Sequence, residues 1–245
     1  MKKIKLLPMK VLNSLHRPFR TDANREPAKI EFDRWVAKAN ERKGLRVLEI
    51  GSRNVTGNIQ RNRFPDAVEY VGVAVLDGEN VDVVGDIHAL SKLVPHNHFD
   101  VVFSAAVFEH LMFPWKAAME VNRVLKTGGY VFTVTHPAWP EHEMPWDFWR
   151  FPKNAFKSLF NSVTGFEIMA SEEGHAIRGL AMTTHHGMRK MYKHKLYGLV
   201  YNVAQKTGDY DTSRLKWDIV PDDVTDDMYP SLKRKAGQKN DTGRS

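Results

Sequence analysis

Short, almost wholly apolar runs recur along this chain at residues 46–50, 69–75, 81–86, 99–104 and 130–135. A strand with apolar side chains on both sides has to be covered on both faces, which an isolated hairpin sheet does not require. The segments between the runs have a different rhythm. Phe32, Trp35, Val36 and Ala39 fall at i, i+3, i+4 and i+7, and Ala117, Val121, Val124 and Leu125 line one side of residues 114–126. Those are helical spacings. Two further strands are expected at 166–171 and 177–183, and a longer helix through Met188, Met191, Tyr192, Leu196, Leu199, Val200 and Val203. The alternation predicts an α/β fold: a doubly wound, mostly parallel seven-stranded sheet with helices on both faces.

The organisation is one domain over residues 28–220. A basic extension (1–27) precedes it, and a polar tail (221–245), expected to be flexible, follows. Cysteine is absent, so there is no disulfide framework and no thiolate metal site, which suits a cytoplasmic protein. No run of about 18 apolar residues is present to span a bilayer. The opening Ile4-Lys5-Leu6-Leu7 is cut by Pro8 and Lys10 and lacks a small-residue cleavage site, so it does not form a signal peptide. The net charge is +7 and is concentrated at the ends. It keeps two partners in view, a nucleic acid and an anionic membrane surface met by the N-terminal stretch.

In an open α/β sheet, ligands bind beyond the carboxyl ends of the strands, where the strand order reverses. The loop after the first run is Glu49-Ile50-Gly51-Ser52-Arg53-Asn54. Gly51 permits close backbone approach, and Glu49 stands at the strand tip. A dinucleotide site needs a second glycine where Arg53 stands. No G-x-x-x-x-G-K-[ST] motif appears either, so nicotinamide cofactors and P-loop nucleotide hydrolysis are excluded.

Further segments occur in a fixed order: Gly85-Asp86-Ile87-His88; Phe99-Asp100-Val101-Val102-Phe103-Ser104-Ala105, leading to Glu109-His110; and Arg123-Val124-Leu125-Lys126-Thr127-Gly128-Gly129. Together with Glu49-x-Gly51 they resemble the motifs of class I S-adenosylmethionine (SAM) dependent methyltransferases, in the type 11 group. The resemblance implies that SAM is the cofactor. It implies contacts from Glu49, Gly51, Ser52 and Arg53, from Asp86, Ile87 and His88 near the adenine, and from Ser104 and Ala105. It also implies an acid at the end of the second strand to hold the ribose hydroxyls, and there this chain has Ala74, followed by Val75. Asp77 or Glu79 would have to substitute.

The resemblance implies attack on the cofactor's methyl group, and a hydroxyl acceptor also needs a base. His136, just past the fifth strand, is the first candidate and His110 the second. Residues 137–150 hold Trp139, Trp146, Asp147 and Trp149. Aromatic faces beside carboxylates suit a glycan or another polyhydroxyl acceptor, so this loop is expected to wall the acceptor site. His136, Glu141 and His142 offer metal-ligand atoms, but a Pro-broken loop gives them no fixed face, and no metal is expected. Methylation of RNA, and a methyltransferase-like binding protein without turnover, remain alternatives; the loss of an acid at Ala74 motivates the latter.

Overall fold

The computed structural model describes residues 22–55 and 57–215, with isolated positions at 11, 14, 15 and 20. Most of the N-terminal stretch expected to meet a membrane, and the C-terminal tail, lie outside the described residues. Helix α1 (Pro27–Asn40) opens the domain. Strands β1 (Arg46–Ile50), β2 (Glu69–Ala74), β3 (Val83–Val84) and β4 (Phe99–Ala105) follow. Helix α2 (Pro114–Val124) leads directly into β5 (Leu125–Thr135). After an irregular stretch come a one-turn helix α3 (Phe156–Leu159), β6 (Phe166–Ile177) and β7 (Leu196–Lys206).

The strands form one sheet in the order β3-β2-β1-β4-β5-β7-β6. All neighbouring pairs from β3 to β5 are parallel, and β7 runs antiparallel to both β5 and β6. The order reverses between β1 and β4, where Ile50 and Ser104 are register partners. On one face α1 sets Phe32 edge-on to Phe132, with centroids 5.4 Å apart, within a cluster that includes Phe64, Phe103 and Tyr201. On the other face α2, α3 and a 3-10 helix at Ile87–Lys92 cover Leu48, Ile50, Val102 and Val131.

Two sequence expectations are corrected. The segment expected as a long helix, 188–203, is strand in its second half: β7 covers residues 196–206, while 177–183, expected as a strand, hold only the last residue of β6. Leu199, Tyr201 and Val203 face the α1 cluster, and Val200 and Ala204 face the other. A strand buried on both faces is continuously apolar and mimics helical spacing. Among the described residues, no α-helix lies between β1 and β4. Short 3-10 helices at Gln60–Arg63 and Ile87–Lys92 do the covering. The connection from β2 to β3 is too brief for a helix.

Candidate active site

The sheet's reversal point fixes the site at the ends of β1 and β4. Gly51 continues β1 at φ +76°, and its N–H donates to Val73 O at 2.8 Å. A Cβ here would collide with Val107 Cγ2, so glycine is required by packing as well as by backbone conformation. Across the reversal, Ala106 has φ +54°, and its N–H donates to Val134 O at 2.8 Å, pinning the end of β4 to β5. A left-handed conformation costs a non-glycine residue about 1–2 kcal/mol. Such strain is typical of backbone held for a purpose.

Glu49 does not stand open at the strand tip. It is buried and accepts a hydrogen bond from the Tyr70 hydroxyl at 2.7 Å. Burial pushes its carboxyl above the usual carboxylate range, and Tyr70 and Arg61 pull it only part of the way back. Arg53 lies over Gly78, where a Cβ would meet its side chain at 2.9 Å. Asn54 ties the two loops together, with its Nδ2 donating to Glu79 Oε2 at 2.8 Å. Ala74 is buried, while Val75, Asp77 and Glu79 are exposed. Asp77 Oδ1 accepts from its own neighbour, Gly78 N–H, at 2.8 Å.

Asp86 caps the 3-10 helix at Ile87–Lys92 by accepting from His88 N–H at 2.9 Å, and its Oδ1 also lies 2.7 Å from His88 Nδ1. His88 Nε2 accepts from Phe113 N–H at 3.2 Å. A backbone N–H only donates, so Nδ1 carries the proton shared with Asp86. Partial burial would raise the Asp86 pKa, but the His88 contacts and Lys116 outweigh it and hold the carboxyl below its ordinary range. His88 is thus a buried strut between β3 and α2, and Ile87 is buried beside it. Of this trio only Asp86, whose side chain is 42% exposed, is open to a ligand.

A second group of polar side chains is built on the segment after β4. Glu109 is 0% exposed. Thr135 Oγ1 donates to its Oε2 at 2.5 Å. Its Oε1 accepts no hydrogen bond and faces His136 Nε2 at 3.5 Å. His136 Nδ1 lies 2.9 Å from Gly198 O, and the ring stacks on Trp139 at 4.6 Å. His110 Nδ1 lies 2.5 Å from Trp146 O, and its ring is 4.7 Å from that of His142.

The loop residues named from sequence divide in two. Trp139 is 52% exposed and roofs His136. Trp146 positions His110 through its carbonyl. Asp147 and Trp149 hold the loop itself. The Asp147 carboxylate is 1% exposed, takes two bonds from Arg150 at 2.6 and 2.8 Å, and accepts from His142 N–H at 2.9 Å. The Arg150 guanidinium holds it well below the usual carboxylate range, against the effect of burial. Trp149 Nε1 donates to Leu111 O at 2.9 Å, and its ring meets Trp115 edge-on. Sequence reasoning missed Glu109 as the hub of this group. The Glu-His pair was visible, but its convergence with His136 and His142 is made by the fold.

Residues 36–133 match the family model described as "Methyltransferase domain", of the type 11 group. Residues 36–133 carry a methyltransferase domain of the class I SAM-dependent type. Among solved structures, the YcgJ protein from Bacillus subtilis superposes with a TM-score of 0.50 at 17% identity, over 71% of this chain and 96% of that one. The CurJ carbon methyltransferase gives 0.50 at 18% identity, over 83% of this chain and 60% of that one. At these identities the likeness is one of fold. No curated protein matches the methyltransferase by sequence. Among the described residues, no helix is long and apolar enough to cross a membrane.

The residues present fit SAM at the reversal point. Ser52 Oγ and Ser104 Oγ are buried hydroxyls without a hydrogen-bond partner, one on each side of it. Where the resemblance implies a ribose-binding acid, the chain has Ala74, with Asp77 and Glu79 exposed on the loop that follows.

Proposed function

We propose that this methyltransferase transfers a methyl group to a hydroxyl of a glycan or related polyhydroxyl small molecule. When bound, SAM supplies a methyl group on a sulfonium, and its transfer to an oxygen leaves a neutral thioether. Gly51, Ser52, Arg53 and Ser104, with Ala105 at the tip of β4, are the proposed contacts to its amino-acid end and Asp86 to its adenine. Glu79, which Asn54 holds against the β1 loop, is the proposed replacement for the missing ribose acid.

The observation that carries the reading is the setting of His136. A carbonyl accepts only, so Gly198 O fixes the proton on Nδ1 and leaves the Nε2 lone pair available. An acceptor hydroxyl placed beside Nε2 would give its proton to that nitrogen, and the Glu109 carboxylate at 3.5 Å would stabilise the resulting imidazolium. Trp139 and the rim of residues 137–146 provide an aromatic face of the kind that suits a sugar ring. His110, with Nδ1 committed to Trp146 O, is the second candidate base.

The test pairs two measurements on His136→Ala. Labelled methyl transfer from SAM to an oligosaccharide panel is expected to fall by about a hundredfold or more, the scale of general base catalysis. Calorimetric SAM affinity is expected to stay within about twofold. Full turnover in the variant would remove His136 from the role. Transfer to RNA with no transfer to any sugar would overturn the acceptor class.

A further inference from the structure

We propose that Glu109, His110 and His142 form a binding site for a divalent first-row transition-metal ion. One ligand atom from each lies within 4.8 Å of the others, the spread expected of donors around a single ion. Nδ1 of each imidazole is already committed: His110 to Trp146 O at 2.5 Å, and His142 near Pro140 O at 3.2 Å and Asp147 Oδ2 at 3.4 Å. Those oxygens accept only, so both rings keep Nε2 as the free lone pair. This is the arrangement by which outer partners fix the tautomer of a metal-ligating histidine. Asp147 is itself locked by Arg150.

Glu109 supplies the independent observation. Its carboxylate is wholly buried and holds a single hydrogen bond, with Oε1 unpartnered. A buried carboxylate is stabilised by a compensating cation. The ion would provide it, with His136 Nε2 3.5 Å from Oε1 at the margin of the group. Two imidazoles and one carboxylate select first-row transition ions over Mg²⁺ or Ca²⁺, which take all-oxygen sets. Three protein ligands leave a coordination position for an exchangeable group. Binding of the ion stands on these side chains alone. A role in orienting an acceptor hydroxyl next to His136 rests on the function proposed above.

The experiment uses the full chain, stripped with chelator and titrated with Zn²⁺, and separately with Co²⁺ followed by its visible absorption, without SAM or acceptor. The expected result is uptake of about one ion per chain that excess Mg²⁺ does not displace. His142→Ala, on a partly exposed loop, and His110→Ala should each weaken it at least tenfold. Glu141→Gln, an exposed neighbour, should leave it unchanged. Thermal melts of each variant check folding, and His142→Ala keeps the test readable if Glu109→Gln unfolds. Absent uptake, or uptake unchanged in both histidine variants, overturns the site. A SAM titration of the same samples separates the two proposals: SAM binding and methyl transfer without metal uptake overturn only this one.

Discussion

At the residue scale, the loop of residues 137–150 owes its shape to one carboxylate. Asp147 takes bonds from Arg150 and from His142 N–H in a nearly closed setting, so its removal leaves the guanidinium with only the carbonyls of Trp139, Pro140 and Trp149 and no counter-charge. Asp147→Ala is expected to lower unfolding free energy by about 2–3 kcal/mol, the range for losing charge-assisted bonds that are mostly buried. Chemical denaturation at neutral pH measures it. The depressed pKa also sets a pH dependence. The stabilisation is present above the ordinary carboxylate value of about 3.9 and is lost as pH falls through the lower folded value. Acid unfolding below about pH 4 should therefore be shallower in Asp147→Ala than in the parent, since the variant has no such proton to take up. The sequence marked Asp147 as acceptor-facing because carboxylates beside tryptophans resemble a sugar site. Nothing local told that Arg150, three residues on, turns it inward.

At the element scale, β1, β4 and β5 were legible because each is a short apolar run ending at glycine or a small residue, and α1 and α2 because their apolar residues keep a 3.6 period. Strand β7 was not, since its two apolar faces erase the alternation that distinguishes strand from helix. Its far end is anchored by Lys206, which is fully buried and reaches Asn122 O at 2.7 Å, Leu125 O at 3.0 Å and Asp209 Oδ1 at 2.9 Å. Two of these acceptors are carbonyls at the C-terminal end of α2, where a cation is favoured by the helix dipole. This single ammonium therefore joins β7 to the α2–β5 junction. Lys206→Met keeps the stem and deletes the charge, leaving buried carbonyls unsatisfied. A loss of about 2–4 kcal/mol is expected, read from the denaturation midpoint with the slope unchanged. A loss below about 0.5 kcal/mol would mean that water replaces the ammonium.

At the scale of the whole molecule, the methyltransferase fold is asymmetric about its reversal point. The β4-β5-β7-β6 half has long strands and the helices α2 and α3. The β1-β2-β3 half is trimmed to short strands and 3-10 turns, and the position where the resemblance implies a ribose-binding acid holds Ala74. Among the described residues no helix lies between β2 and β3; the chain turns through 75–80, and the loop rather than the strand tip carries the carboxylates Asp77 and Glu79. If Ala74 marks a position where a side chain would still reach the cofactor, restoring the acid should tighten binding. Ala74→Asp is expected to lower the SAM dissociation constant by about tenfold, the scale of one charge-assisted contact. Calorimetry measures this, and weaker binding would mean that the loop has displaced the ribose from its usual place. The fold was readable because its motifs occur in sequence order. The acceptor group was only partly so, because Glu109, His110, His136 and His142 meet through three separate segments.

The contact of Gly51 with Val107 has a consequence beyond packing. Val107 is two residues before Glu109, on the same short segment that continues to His110. A side chain at position 51 would therefore press on the segment that carries the buried Glu109 carboxylate and the His110 imidazole. One missing methyl group at residue 51 is what lets the two loops lie side by side without shifting those groups.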